Sequence, residues 1–287
     1  MCDEFIHPGM VEDNRLSRRS FGVLTAAMAG LSGTALAQSN VVEKDVTVTT
    51  PDGSADAVLF HPAGAGNWAA VLVWPDIMGL RPALRDIGRR LAGQGYVVLV
   101  PNPFYRSAKA PVIDANFDFS NPDNRNRLFG YRNAMSDAGI DRDATAYLAF
   151  LDAQPQTNKA RKAGVQGYCM GGTLSFRTAA AVPGRIAAVG SFHGGNGLFS
   201  KEPNSPHLLI ARTNATYLVA HARNDDAQAP QMKEDLKAAF AAAGKTATVE
   251  VYAADHGWCV KGGAVYNEAE AERAWTALSR MYQTALA

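Results

Sequence analysis

Residues 164–173 read GVQGYCMGGT, and here an apolar run changes to a helix-like run around a single cysteine, Cys169. Glycines stand two residues before and two residues after it, at Gly167 and Gly171. This spacing is typical of a nucleophile elbow, a tight turn from a strand to a helix that lifts a reactive side chain above a sheet. A structural cysteine in a core needs no such glycines, so we interpret Cys169 as a candidate nucleophile.

The rest of the chain alternates between strand-like and helix-like segments. Strands are predicted at 41–50, 57–60, 69–74, 96–100, 162–166, 186–192, 217–220 and 246–252, and helices at 84–91, 141–151, 170–181, 231–243 and 268–286. This order predicts an α/β fold with a mainly parallel twisted sheet, helices on both faces and ligands at the carboxyl ends of the strands. Residues 102–135 show no period, and we interpret them as a long loop that roofs the pocket.

The composition is that of an ordinary globular chain. Of its 287 residues, 47% are hydrophobic and 19% are charged, and the formal net charge is +1. With this charge and no basic stripe, the chain offers no electrostatic surface for nucleic acid, so that class of function is excluded. The sequence shows no metal-ligand spacing and no phosphate-binding loop with a lysine, so we expect no metal and no cofactor.

The first 37 residues have the character of an export signal. Paired arginines, Arg18 and Arg19, precede a weakly apolar stretch that ends in Ala35-Leu36-Ala37. This pattern marks a signal peptide, and the arginine pair is typical of the twin-arginine type. We therefore predict a signal at 1–37 and one folded domain at 38–287, periplasmic or secreted, with no stable membrane insertion after signal removal. A membrane anchor is the alternative, but the apolar stretch is shorter than a spanning helix.

Two more reactive side chains follow predicted strands further along the chain. Asp225 comes after the strand at 217–220, and His256 comes after the strand at 246–252. With Cys169 they give the order nucleophile, acid, histidine, which is the chain order of the α/β-hydrolases. The histidine would accept the thiol proton, and the aspartate would fix its tautomer and orientation. The neighbouring Asp226 is the alternative acid.

At these motifs the chain resembles the dienelactone hydrolases, a branch of the α/β-hydrolases with a cysteine nucleophile. The likeness runs from about residue 41 to the C-terminus, and the string Gly-Tyr-Cys-Met-Gly-Gly is its most specific part. The matching stretches are 75–80 (PDIMGL), 95–101 (GYVVLVP), 167–172 (GYCMGG) and 255–258 (DHGW).

The resemblance implies the α/β-hydrolase fold and the hydrolysis of a carboxylic ester or lactone through a cysteinyl acyl-enzyme. It implies a catalytic triad of Cys169, Asp225 and His256. It also implies that the backbone N–H groups of Ile77 and Met170 form the oxyanion hole, which fits a donor one residue after the nucleophile.

The chain departs from the family pattern at two positions. Asp76 stands where the family has a glutamate that holds the resting thiol near the histidine, and Asp76 is one methylene shorter. Val260 stands four residues after the histidine, where family members that act on dienelactone carry an arginine for the substrate carboxylate. We therefore expect a bulkier or less anionic ester or lactone. The cations that could replace the missing arginine are Arg81, Arg106, Arg132 and Lys261.

Several alternatives stay open. Cys259 remains with Cys169 after signal removal, and a disulfide between them is the alternative to a free nucleophile. His193 ends the strand at 186–192 and is expected either to line the pocket or to have a supporting role. The alternative functions are a general carboxylesterase or thioesterase and a non-catalytic periplasmic binding protein. We expect a small-molecule substrate and a monomer or small homo-oligomer.

Overall fold

An eight-stranded sheet is the centre of the fold. The structure is a computed structural model that describes residues 41–287, so the predicted signal at 1–37 lies outside the described residues. In chain order the strands are β1 (Val41–Thr50), β2 (Gly53–Pro62), β3 (Ala69–Trp74), β4 (Tyr96–Pro101), β5 (Ala163–Tyr168), β6 (Ile186–Phe192), β7 (Thr216–Ala222) and β8 (Ala247–Tyr252). Their order across the sheet is β1-β2-β4-β3-β5-β6-β7-β8.

Most neighbouring strands run parallel. β1 and β2 form an antiparallel hairpin and β2 is antiparallel to β4, whereas all further pairs are parallel. The hairpin closes at Pro51-Asp52-Gly53, where Gly53 has a φ of 139° that a side chain would disfavour. Because parallel neighbours need crossover connections, helices must cover the faces of this sheet. The predicted α/β-hydrolase fold is confirmed.

Helices cover both faces of the sheet. They are α1 (Pro82–Gly93), α2 (Pro122–Asn133), α3 (Asp137–Asp152), α4 (Met170–Ala181), α5 (Arg223–Gln228), α6 (Met232–Ala242) and α7 (Glu268–Ala285). On one face α1 and α7 pack with Val71 and Val73 of β3, and on the other α3, α4 and α6 pack with Leu72 and Trp74. Alternate residues of β3 thus enter opposite cores, which explains why this strand is apolar at every position. Within residues 41–287, no helix is both long and apolar enough to cross a membrane.

The prediction of one continuous loop at 102–135 is wrong in part, because α2 lies within it. This helix has almost no apolar periodicity, and Leu128 is the one residue of α2 that is buried. Its signal lies at its start, where the Asn121 side chain accepts two backbone N–H groups and Pro122 occupies the first helical position. A capping side chain followed by proline can begin a helix without an amphipathic pattern.

The carboxyl ends of the parallel strands meet at one edge of the sheet, and the predicted site residues follow these ends. After β3, β5, β6, β7 and β8 come, in this order, Asp76, Cys169, His193, Asp225 and His256. This edge is where ligands bind in open α/β sheets.

Candidate active site

Cys169 occupies a strained turn between β5 and α4. Its φ of 53° and ψ of −119° lie outside the regions that residues with a side chain ordinarily adopt. A Cβ at Gly171 would lie 2.4 Å from the carbonyl oxygen of Trp74, and a Cβ at Gly167 would lie 2.0 Å from the carbonyl oxygen of Gly171. Close backbone contacts therefore require both glycines, which is the reason for the spacing seen in the sequence.

The turn places Cys169 at a cavity of about 280 Å³ at this edge of the sheet. Ile77, in the loop after β3, and Met170, at the start of α4, line the same cavity. The first N–H groups of a helix have no partner within that helix, so the N–H of Met170 is suited to bind an oxyanion. The structure thus brings both residues of the predicted oxyanion hole to the cavity of the predicted nucleophile.

His256 and Asp225 meet beyond the ends of β8 and β7. Nδ1 of His256 lies 2.8 Å from Oδ2 of Asp225, and both side chains are almost completely buried. Asn224 ties the two segments together, because its Oδ1 accepts the backbone N–H of Asp225 at 3.1 Å and that of His256 at 2.9 Å. The alternative acid, Asp226, instead binds Lys233 at 2.7 Å. Of the two aspartates, the structure places Asp225 at the histidine.

The surroundings of His256 favour its charged form. Burial of the ring opposes a positive charge, but the neighbouring Cys169 sulfur and Asp225 carboxylate outweigh burial and raise the pKa of His256 to about 10. The sulfur acts chiefly through its charge, and Asp225 acts through its charge and its hydrogen bond to Nδ1. The structure therefore brings the three predicted residues together, in an arrangement suited to moving the thiol proton onto the imidazole.

His193 is a fourth side chain in contact with this group. It is completely buried, its Nδ1 accepts the backbone N–H of Cys169 at 3.1 Å, and its ring centre lies 4.9 Å from that of His256. Burial and the charge of His256 lower the pKa of His193 well below its ordinary value, so this ring is neutral at neutral pH. The structure places His193 against the nucleophile and not in the cavity wall.

Asp76 is held by Arg81 rather than by Cys169. Its two carboxylate oxygens accept hydrogen bonds from Nη1 and Nη2 of Arg81 at 2.6 and 2.8 Å. Oδ1 also accepts the backbone N–H of Met78 at 3.0 Å, and both charged side chains are only 5% exposed. This pair fixes the turn that presents Ile77 to the cavity, so in the structure Asp76 supports the loop rather than the thiol.

The four cations that could replace the missing arginine lie in different parts of the structure. Arg132 is the one of the four that lines the cavity with Cys169. Arg81 and Arg106 are engaged by aspartates, and Lys261 lines a different groove, between α1 and α7. Of these four side chains, Arg132 is thus the one that the structure places at the cavity beside Cys169.

Most of the cavity wall comes from side chains that belong to no motif and that the sequence did not single out. Its apolar side chains include Phe119, Phe129, Ile140 and Leu174. Arg177 also lines the cavity, but it is paired with Asp137 at 3.0 Å and with Asp141 at 2.9 Å. The sequence signal that could have found these apolar residues is the aromatic content of 102–135, the segment that was expected to roof the pocket.

Neither a disulfide nor a metal cluster is found among residues 41–287. Cys169 and Cys259 are free thiols; Cys169 belongs to the core beneath α3, α4 and α6, whereas Cys259 packs against the core beneath α1 and α7. No group of three or more His, Cys, Asp or Glu side chains in this part of the chain could hold a metal ion.

Comparison with known proteins connects this geometry to a family. The model of the dienelactone hydrolase family matches residues 55–286. A Synechocystis protein named "Putative carboxymethylenebutenolidase" is 26% identical over 249 residues, which cover 85% of this chain and 98% of that protein. Carboxymethylenebutenolidase 1 of Cupriavidus pinatubonensis is 30% identical over 136 residues, which cover 47% of this chain and 55% of that protein.

A solved structure shows the same fold. The dienelactone hydrolase-like promiscuous phosphotriesterase P91, from metagenomic libraries, aligns with a TM-score of 0.69 at 22% identity, and the alignment covers 86% of this chain and 99% of P91. Because the family model spans nearly all of the described chain, this protein belongs to the dienelactone hydrolase family of hydrolases.

Proposed function

We propose that this protein hydrolyses a carboxylic ester or lactone through a cysteinyl acyl-enzyme, with Cys169, His256 and Asp225 as the catalytic triad. One observation carries the proposal: a cysteine on a strained strand-to-helix turn lies close enough to a histidine to raise its pKa, and that histidine is bonded to a buried aspartate. Relatives named as carboxymethylenebutenolidases support a lactone or a related ester as the substrate class.

Acylation begins when His256 takes the thiol proton and the Cys169 sulfur attacks the substrate carbonyl carbon. The carbonyl oxygen becomes an oxyanion, which the N–H groups of Ile77 and Met170 stabilise. The intermediate then collapses, the bond from the carbonyl carbon to the alcohol oxygen breaks, and His256 returns the proton to that oxygen. In a lactone the new hydroxyl stays attached to the acyl group.

Deacylation repeats these steps with water as the nucleophile. His256 removes a proton from water, the hydroxide attacks the thioester carbon, and the carbon–sulfur bond breaks to release the acid and restore the thiol. Asp225 accepts a hydrogen bond from Nδ1–H of His256, which leaves Nε2 to exchange protons with sulfur, water and the leaving group.

The cavity favours a substrate with an apolar group next to the scissile bond. Phe119, Phe129 and Leu174 offer apolar surface near Cys169, whereas the charge of Arg177 is compensated by two aspartates. We therefore propose an ester or lactone that is bulkier or less anionic than dienelactone. Its more polar end would lie toward Arg132.

Export is part of the proposal and has a separate test. We propose that residues 1–37 direct the folded protein out of the cytoplasm through the twin-arginine route. Fractionation of cells that express the full chain should find the mature protein in the periplasm or medium. A replacement of Arg18 and Arg19 by lysines should retain it in the cytoplasm, and an unchanged distribution would contradict the proposal.

The test of the activity is turnover of a panel of lactones and p-nitrophenyl esters, combined with intact-protein mass spectrometry. We expect the wild type to hydrolyse members of the panel and to carry an acyl mass on the peptide that contains Cys169. We expect C169A to lose both. C259A is the matched control, because Cys259 is the other free thiol of the described chain and does not line the cavity.

The outcomes separate the alternatives. Preference for lactones supports the lactone hydrolase, and faster turnover of open-chain esters or thioesters favours the general carboxylesterase or thioesterase. If the wild type hydrolyses nothing in the panel, or C169A hydrolyses it as fast as the wild type, the proposed mechanism is wrong and the binding-protein alternative gains support.

A further inference from the structure

We propose that His193 is a positioning residue for the nucleophile: its Nδ1 holds the backbone N–H of Cys169 in the strained turn while its ring packs against His256. This inference rests on the proposed function, because it concerns the same cysteine and histidine. The sequence pattern left the role of His193 open between the pocket wall and a supporting contact, and the geometry favours the second.

The position of His193 in the sheet makes it a bridge between neighbouring strand ends. Tyr168 of β5 pairs with Phe192 of β6, so the residues that follow, Cys169 and His193, leave the sheet side by side. The N–H of Cys169 is shared between the carbonyl oxygen of Phe192 at 3.0 Å and Nδ1 of His193 at 3.1 Å. The N–H of His193 is bonded to the carbonyl oxygen of Ala220 in β7 at 2.8 Å. One residue, His193, therefore links the elbow, through its side chain, to the strand that leads to Asp225, through its backbone.

Backbone strain in the described chain is concentrated at this contact. Among residues 41–287, Cys169 and His193 are the non-glycine residues with a positive φ, at 53° and 39°. Such conformations persist only where the surrounding contacts hold them, and they cluster at functional sites. Here the two strained residues are hydrogen-bonded to each other, so each stabilises the unusual backbone of its partner.

The protonation of His193 follows from the same bond. Because Nδ1 accepts an N–H group, Nδ1 is unprotonated and the ring proton belongs on Nε2. Nε2 is buried and makes no hydrogen bond within the part of the chain that the structure describes. The groups that face this ring are His256, Asp225, Trp258, Tyr168 and Cys169. Burial among them keeps His193 neutral, so it does not compete with His256 for the thiol proton.

The consequence for catalysis concerns the direction of the sulfur. The φ of Cys169 determines where its side chain points, and loss of the acceptor at Nδ1 leaves the carbonyl of Phe192 as the remaining partner of the Cys169 N–H. A relaxation of the turn would then separate the sulfur from His256. Misplacement of a reacting group by about 1 Å can cost roughly 100-fold in rate.

Two substitutions separate the hydrogen bond from the ring. In H193N the amide oxygen lies near the original position of Nδ1 and still accepts the N–H of Cys169, and asparagine tolerates a positive φ. In H193F the ring remains but the acceptor is lost. The matched control is H221F, because His221 is equally buried at the end of the neighbouring strand, β7, and has no contact with the backbone of Cys169.

The first measurement is the rate of alkylation of Cys169 by iodoacetamide between pH 5 and 10, read by mass spectrometry on the Cys169 peptide of the full chain. For H193F we expect the pH midpoint of alkylation to rise by about one unit, because the thiolate loses its contact with the imidazolium. H193N and H221F should keep the wild-type midpoint. A merely structural role would lower the melting temperature of H193F without moving this midpoint.

The second measurement is kcat and KM on the best ester of the panel. H193F should lose roughly 10- to 100-fold in kcat with little change in KM, and H193N should recover most of that loss. An H193F variant with wild-type alkylation and wild-type kcat would overturn the proposal, and so would an H193N variant as impaired as H193F.

Two further results keep the test decisive. If H193F does not fold, the comparison of H193A with H193N replaces it, because alanine also lacks the acceptor; equal alkylation profiles of these two variants would overturn the proposal. If the wild type hydrolyses no ester but the alkylation midpoint still shifts in H193F, the proposed function fails while the positioning role of His193 stands.

Discussion

Two buried charge pairs lie at the same edge of the sheet, and they differ in what they can do. Asp76 and Arg81 are five residues apart and are joined by two hydrogen bonds. Asp225 and His256 are 31 residues apart and are joined by one bond, between Oδ2 and Nδ1. A guanidinium stays charged at every pH at which the protein is folded, whereas an imidazole can give up its proton.

The difference assigns a separate task to each pair. Asp76 of the first pair also accepts the backbone N–H of Met78, so this pair fixes a backbone loop. That task requires both side chains to stay charged. The Asp225–His256 pair leaves one ring nitrogen for the cysteine, so its value lies in exchanging a proton. Buried charge at a strand end is therefore not by itself a sign of catalysis, and the identity of the cation separates the two cases.

The largest expected effect is on the proton-exchanging pair. The substitution D225N should lower kcat roughly 10⁴-fold, because an amide cannot enforce the tautomer in which Nδ1 carries the proton. The measurement is kcat on the best ester of the panel, alongside urea unfolding. A decrease in kcat of less than about tenfold would mean that Asp225 is not the triad acid.

The next effect should appear in stability. The substitution R81M leaves the Asp76 carboxylate buried without its cation, so we expect the free energy of unfolding to fall by about 3–5 kcal/mol. Urea unfolding measures it. R85M is the matched control, because Arg85 lies in the first turn of α1, just after Arg81; its change should stay within about 1 kcal/mol because the Arg85 ion pairs are partly exposed. If R81M is as stable as R85M, the Asp76–Arg81 pair does not hold the loop.

A smaller effect should distinguish the pairs by pH. Among the contributions that raise the pKa of His256 to about 10, the charge of the Cys169 sulfur comes first and the Asp225 carboxylate adds to it. The imidazolium is thus stabilised by its contact with the sulfur, and its extra proton cannot be counted apart from the thiol proton.

We expect C169A to lower the pKa of His256 by about one unit or more, because alanine removes the charge that stabilises the imidazolium. NMR titration of the His256 ring measures this shift. R81M should keep the wild-type titration, because Arg81 binds the other aspartate. Equal titrations of the wild type and C169A would contradict the contribution of the sulfur.

The smallest effect should come from the neighbouring acid. Asp226 binds Lys233 in a partly exposed ion pair, so D226N should change the free energy of unfolding by less than about 1 kcal/mol. Its kcat should stay within roughly threefold of the wild type, which corresponds to well under 1 kcal/mol. If D226N loses activity as D225N does, the assignment of the acid by hydrogen bonding to His256 is wrong.

The parts of the molecule that the sequence could predict are those with local causes. The glycines around Cys169 are required by contacts within the elbow and with β3, so the spacing alone indicated the turn. The apolar runs of β3 and β4 and the period of α1 gave their bounds to within a few residues, because burial on one or both faces dictates the pattern.

The parts that were missed depend on contacts between distant segments or on caps. The sequence made Arg81 a candidate for a substrate carboxylate, and only the folded loop brings it onto Asp76. The contact of His193 with Cys169 needs the register of β5 against β6, which no local pattern encodes. α2 was read as loop because its polar sequence buries one side chain, and the cap at Asn121 carries its signal.

The Asn224 side chain has a consequence for how the site tolerates change. Its amide oxygen accepts the backbone N–H groups of both the acid, Asp225, and the base, His256. The separation of these two residues is therefore set by hydrogen bonds between adjacent loops and not by the chain that joins them. Additions or deletions in the stretch from α6 to the start of β8 can then leave the geometry of proton exchange intact, provided that this single oxygen keeps both of its donors.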